Sequence, residues 1–302
     1  MSTSPPKPNR RLRRLLRSFA FAGVLLLIAY VAAVPTGWLC SRVILGRPGP
    51  AVGLHGATRR VIQVNGRAVE CAVARSPGAT GAGREPQAYV LFLVGKGDLG
   101  DRWTAAVAGS WGERPVEVWG MNYPGFGGSE GPPRLDRVVP EALGTYDAMR
   151  QIAGNRPIFV HAGSFGTTVG LAVAARRPLG GLILQNPPPL RQLVMGHYGW
   201  WNLWTLAGPV SRQIPSELDS LANAGRVTAP SVFISCGADE IIPPAYHRQV
   251  MNAYAGPKHL IDIPGAHHHD ALPREAAQEL NHELDWLWQR SVTGPATSHA
   301  GQ

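Results

Sequence analysis

Cysteine is scarce in this chain. Cys40, Cys71 and Cys236 are odd in number and widely spaced, and they offer no C-x-x-C pair for zinc or dithiol chemistry. Cys71 and Cys236 lie in strand-like runs, where a small buried apolar residue is the usual role. Charge is scarce too, at 16% of residues, and it is unevenly placed. Residues 1–17 contain no acid but carry Lys7, Arg10, Arg11, Arg13, Arg14 and Arg17, which is +6 of the formal +9. Only +3 remains for the rest, so the basic balance belongs to a tail and nucleic-acid binding loses its support. No internal repeat is present, which excludes a solenoid.

Between Ser18 and Ser41 there is no charged residue at all, and the run is apolar on every helical face. As one helix at about 1.5 Å per residue it would reach roughly 36 Å, enough for a hydrocarbon core of about 30 Å. The arginine cluster predicts an inside N-terminus, with Tyr30 and Trp38 at the outer interface and the body outside. A cleaved signal peptide, with Val31 and Ala33 before the cut, competes with this uncleaved anchor. The long apolar core and the early Pro35 favour the anchor.

The remaining residues have the length of a single α/β domain. Val61–Val64 and Ala68–Ala74 flank Asn65-Gly66, a two-residue hairpin signal. Beyond a Gly/Pro-rich loop at 75–87, strand-like and helix-like runs alternate. Strands are expected at Tyr89–Val94, Val116–Met121, Ile158–Ala162, Gly181–Gln185, Ser231–Cys236 and His259–Ile263. Helices are expected near Asp101–Gly109 and over Leu135–Ala153, Phe165–Arg177, Pro244–Tyr254 and up to about Gln289. That alternation means a mostly parallel, doubly wound sheet covered on both faces, with the antiparallel hairpin at an edge. Residues 187–225 interrupt it with Trp200, Trp201 and Trp204 and read as an inserted lid.

The segment PIFVHAGSFGTT places Ser164 on a sharp turn between a strand and a helix. Such a corner closes only if the residues two before and two after are small, and here they are Ala162 and Gly166. A helix-capping serine would give the same local pattern, so the motif needs partners. A serine hydroxyl needs a base, and the base needs an orienting group. Asp239 follows the strand SVFISC, and His267, His268 and His269 follow HLIDI, in the order nucleophile, acid, histidine. Asp270 is expected to begin the last helix.

These pieces, with VLFLVGKGD and MNYPGFGGSEG, resemble the α/β-hydrolase superfamily from about residue 60 to 289. Within it they are most similar to the membrane-anchored, small-lid serine hydrolases. The resemblance implies an ester- or thioester-cleaving enzyme that acts on acylated or lipid-like substrates through an acyl-enzyme, with no metal or organic cofactor. It assigns Ser164 as nucleophile, Asp239 as acid and His268 as base. The backbone N–H groups of Phe165 and Lys96 become the oxyanion donors. Trp200, Trp201 and Trp204 become candidates for an acyl-binding wall. The implied organisation is a basic tail (1–17), an anchor (18–41), a linker (42–59), a hydrolase domain (60–290) and a disordered tail (291–302).

Three features depart from the family pattern. Val94 replaces a histidine that usually braces the oxyanion loop, Asn122 replaces an aspartate, and Ala162 replaces a glycine. They keep a catalytically silent binding domain of the same fold as an alternative. Gly95–Gly100 also spells G-x-G-x-x-G, raising a nicotinamide-dependent oxidoreductase, but the following strand ends in Asn122 instead of an acid that could hold a ribose.

Overall fold

The computed structural model describes residues 10–33, 37–49, 53–80, 84–200 and 204–293. Eight strands form one sheet: β1 (Thr58–Val64), β2 (Arg67–Arg75), β3 (Ala88–Leu93), β4 (Val116–Met121), β5 (Ile158–Gly163), β6 (Gly181–Gln185), β7 (Ser231–Cys236) and β8 (Lys258–Ile263). Their order is β1-β2-β4-β3-β5-β6-β7-β8. The β1–β2 and β2–β4 pairs are antiparallel and the other five are parallel. The expected hairpin edge and doubly wound parallel sheet are therefore both present. Strands β3, β4 and β7 are buried at every position, as two covered faces require.

The helices are α1 (Arg10–Ala33), α2 (Trp38–Leu45), α3 (Pro77–Thr80), α4 (Gly100–Ser110), α5 (Leu135–Ala153), α6 (Phe165–Ala174), α7 (Leu190–Gly196), α8 (Ala207–Gln213), α9 (Ser220–Ala224), α10 (Pro244–Ala253) and α11 (Arg274–Trp288). Helix α6 stops three residues short of the expected Arg177. Residues 187–225 do break the alternation, and they carry α7, α8 and α9 between β6 and β7. Asp270 does not begin the last helix. Its carboxylate accepts from the His267 N–H at 2.7 Å and closes the preceding turn, while α11 starts after Pro273.

The N-terminal reading needs correction. Among the described residues, no helix is long and apolar enough to cross a membrane. Helix α1 ends at Ala33, and its uncharged part from Ser18 reaches about 24 Å. Residues 38–41 leave the expected span and enter α2, where Cys40, Ser41, Ile44 and Leu45 are buried. The Cys40 thiol donates to the Val210 carbonyl (3.4 Å) and the Ser41 hydroxyl accepts from the Leu135 N–H (3.0 Å). The beginning of the expected linker is thus part of the globular core. Cys71 and Cys236 are buried as expected, and Cys40 joins them; all three thiols are free. Residues 294–302 of the expected tail lie outside the described residues.

Candidate active site

Ser164 sits between β5 and α6 with φ 52° and ψ −126°, a conformation that L-residues rarely adopt. Its neighbours hold it there. The Ser164 N–H donates to the Gln185 carbonyl at 2.8 Å, and the Ser164 carbonyl accepts from the Thr167 N–H and hydroxyl. A β-carbon on Gly166 would land on the Leu93 carbonyl oxygen, so only glycine fits there. Ala162 is fully buried, so its methyl is accommodated at the corner in place of a glycine hydrogen.

The topology brings Ser164, Asp239 and His268 together at the C-terminal ends of β5, β7 and β8. His268 Nε2 lies 3.1 Å from Ser164 Oγ, and His268 Nδ1 lies 2.6 Å from Asp239 Oδ2. The other oxygen, Oδ1, accepts from the N–H groups of Ile241 (2.9 Å) and Ile242 (2.8 Å). Burial alone would raise the Asp239 pKa. The neighbouring imidazoles of His247 and His268 and the hydrogen bonds from the backbone outweigh it and hold the carboxyl well below the usual carboxylate range. The neighbouring histidines go elsewhere: His267 Nδ1 meets Glu240 at 3.0 Å on the surface, and the rings of His269 and His268 meet edge to face, centroids 4.9 Å apart.

Two features of this arrangement escaped the sequence reading. The first is His247, buried on α10, whose Nε2 approaches Asp239 Oδ2 to 3.3 Å while Ser235 Oγ lies 3.1 Å from its Nδ1. Asp239 therefore has imidazoles on two sides. The second is the brace of the loop after β3, which lacks the family's histidine. The Tyr123 hydroxyl donates to the Val94 carbonyl (2.7 Å), the Gly97 N–H to the Leu45 carbonyl (2.9 Å), and the Gly49 N–H to the Gly97 carbonyl (2.8 Å). In the braced loop, a β-carbon on Gly95 would stand only 3.4 Å from Ser164 Cβ. Phe165, as the first residue of α6, carries one of the N–H groups that a helix leaves without an intrahelical partner. Phe165 and Lys96 line the same cavity as Ser164.

Asn122 has a local explanation. Its amide donates to Glu70 (3.0 Å) and Asp101 (2.9 Å), and its oxygen accepts from the Gly100 N–H (2.8 Å). An aspartate would place a third carboxylate beside two buried ones. Asn122→Asp is expected to cost about 3 kcal/mol at neutral pH. The new carboxyl would have a raised folded-state pKa, so the charge-dependent part of the loss should vanish below pH about 4 and grow as pH rises. Urea denaturation at several pH values measures this. The Gly100 end of the G-x-G-x-x-G run is likewise structural, since a β-carbon there would strike the Gly120 carbonyl.

A cavity of about 680 Å³ opens beside Ser164, with a predominantly apolar wall. Leu190, Leu193 and Val194 from α7 and Val210 from α8 contribute to it, as do Ile241 and Ile242. His161 also lines it, and burial pushes its imidazole down to about 4, so the ring is neutral at physiological pH. Trp200 and Trp204 are not part of this wall. They are 65% and 48% exposed, and the Trp204 indole donates to the Met195 carbonyl instead. Trp201 lies outside the described residues.

Residues 84–214 match the family model described as serine aminopeptidase, S33. Two uncharacterized proteins of Mycobacterium tuberculosis, from strains CDC 1551 and H37Rv, are each 28% identical over 206 residues, 67% of this chain and 71% of theirs. Puromycin hydrolase superposes with a TM-score of 0.59 at 20% identity over 78% of this chain, which spans only 39% of that protein's length. A Pyrococcus furiosus esterase superposes with a TM-score of 0.60 at 14% identity, covering 82% of this chain and 97% of its own. At these identities the two structural likenesses speak for the fold alone.

Proposed function

We propose that the chain is a serine hydrolase of the α/β-hydrolase superfamily that cleaves esters or thioesters of acylated, lipid-like substrates through an acyl-enzyme; the family model over residues 84–214 and the shared fold support this. The observation that carries this reading is the hydrogen-bonded line from Ser164 Oγ through His268 to Asp239. Ser164 attacks the carbonyl carbon while His268 Nε2 takes its proton; the imidazolium, steadied by Asp239, then returns that proton to the leaving group. Water, deprotonated by His268, releases the acyl group in a second round. The N–H groups of Phe165 and Lys96 receive the oxyanion, each worth about 3 kcal/mol.

The family model's description, serine aminopeptidase, points toward peptide-like amides, whereas the apolar wall favours an acyl chain. Turnover of p-nitrophenyl esters against amino-acyl amides separates the two. In this reading residues 187–225 act as a lid, since α7 and α8 supply part of the cavity wall. Helix α1 attaches the protein to a membrane surface through its apolar part. What supports attachment is an apolar surface in which Phe19 is 74% exposed and Phe21 and Val24 to Ile28 are exposed as well. Vesicle co-sedimentation followed by a carbonate wash, which a peripheral association should not survive, tests that attachment.

His247 is read as a positioning residue for Asp239. Its loss should lower kcat and leave the carboxylate's charge less shared, so Asp239 would hold the His268 imidazolium more firmly. The acid limb of kcat/KM should then move upward by about half a pH unit or more in His247→Phe. His247→Gln, which keeps a donor, should restore part of the shift. Glu240 with its partner His267, and also Tyr198 and Cys236, lie near the same carboxylate and are unchanged in both variants. A lowered kcat with an unmoved limb would reduce His247 to a packing role.

A further inference from the structure

The segment from Gly37 to Gly49 lies outside the expected hydrolase domain, yet it is bound to the domain at five points. The Gly37 N–H donates to the Gln213 side chain (3.1 Å), Cys40 to α8, and Ser41 accepts from the start of α5. Its far end brackets Gly97 through Leu45 and Gly49. Between these fastenings, Val43 and Ile44 line the same cavity as Ser164.

We infer that Val43 and Ile44 are specificity-determining residues that form a wall for the long acyl chain of the substrate, so that α2 is part of the substrate site. The inference rests on the serine-hydrolase reading and names its substrate class as long, unsubstituted acyl esters or thioesters. Neither side chain carries a polar atom, so this wall offers nothing to a charged or hydroxylated group. In sequence, only residues 34–37 separate α2 from the exposed apolar helix α1. The acyl wall therefore adjoins the proposed membrane attachment.

The full-length protein in detergent micelles provides the test. The native thiols are all buried, and burial pushes those of Cys40 and Cys71 up to about 12, so Val43→Cys introduces a selectively reactive one. Hydrolysis of p-nitrophenyl acetate and palmitate is measured before and after alkylation with a bulky maleimide. Because one methylene in an apolar pocket changes discrimination by about tenfold or more, the palmitate-to-acetate ratio of kcat/KM should fall at least about tenfold on alkylation. Ile44→Trp, made separately, should lower the same ratio without any reagent. Labelling that leaves the ratio within about twofold of the unlabelled value overturns the inference, as does failure of the Val43→Cys thiol to react in the folded protein. Absence of turnover on either ester by the unmodified protein fails the hydrolase reading itself, a different result.

Discussion

Ser164→Ala should lower ester turnover by about five to six orders of magnitude and abolish covalent labelling by a fluorophosphonate. The hydroxyl is the only atom removed, and nothing nearby can replace it: Thr167 has its own hydroxyl committed to the Ser164 carbonyl. The backbone N–H donors stay in place, so a residual rate over uncatalysed hydrolysis is expected from them alone. Folding should be intact, because Ser164 is anchored through its N–H and carbonyl and not through its side chain. The measurement is burst and steady-state kinetics with intact-mass analysis after probe treatment. A variant that keeps more than about one part in a hundred of the activity would remove Ser164 from the chemistry and return the protein to a binding role.

Asp239→Asn should cost about four orders of magnitude in kcat with little change in KM. The geometry says why so isosteric a change is so damaging. Oδ1 accepts two backbone N–H groups, from Ile241 and Ile242, so the amide oxygen of the variant must occupy that position. The amide NH2 then faces His268 Nδ1, which becomes an acceptor, and the ring proton moves to Nε2. A protonated Nε2 cannot take the Ser164 proton. The same carboxylate also links stability to pH. Its folded pKa is depressed, so its contribution is fully present above the unfolded value near 4 and is lost as pH falls through the folded one. Thermal melts of the parent should decline in that acid range, and Asp239→Asn should flatten that part of the curve. A variant with parental kcat would refute the tautomer argument.

Much of the fold was legible because its signals are local. The Asn65-Gly66 turn, the alternating apolar runs and the small residues around Ser164 each constrain their own few residues, and right-handed crossovers leave few ways to join them. The N-terminal segment was misread for the opposite reason. Hydropathy treats residues 18–41 as one apolar run, but apolar side chains suit a protein core as well as a bilayer. Cys40 and Ser41 are claimed by α8 and α5, partners about 170 and 94 residues away. Trp200 and Trp204 misled similarly: aromatic clustering indicated apolar surface, while the cavity wall came from residues such as Leu190, Leu193, Val43 and Ile44.

The sequence by itself determined the mostly parallel architecture and the order Ser164, Asp239, His268 at the ends of three strands, because the alternation of strand-like and helix-like runs and the tight turn at Ser164 are written in neighbouring residues. Only the tertiary structure decided that His247 stands on the far side of Asp239. It also decided that Gly37–Gly49 braces the loop beside the serine. Those outcomes depend on side-chain direction and on contacts between residues distant in the chain, and packing settles them all at once where no short stretch of sequence can.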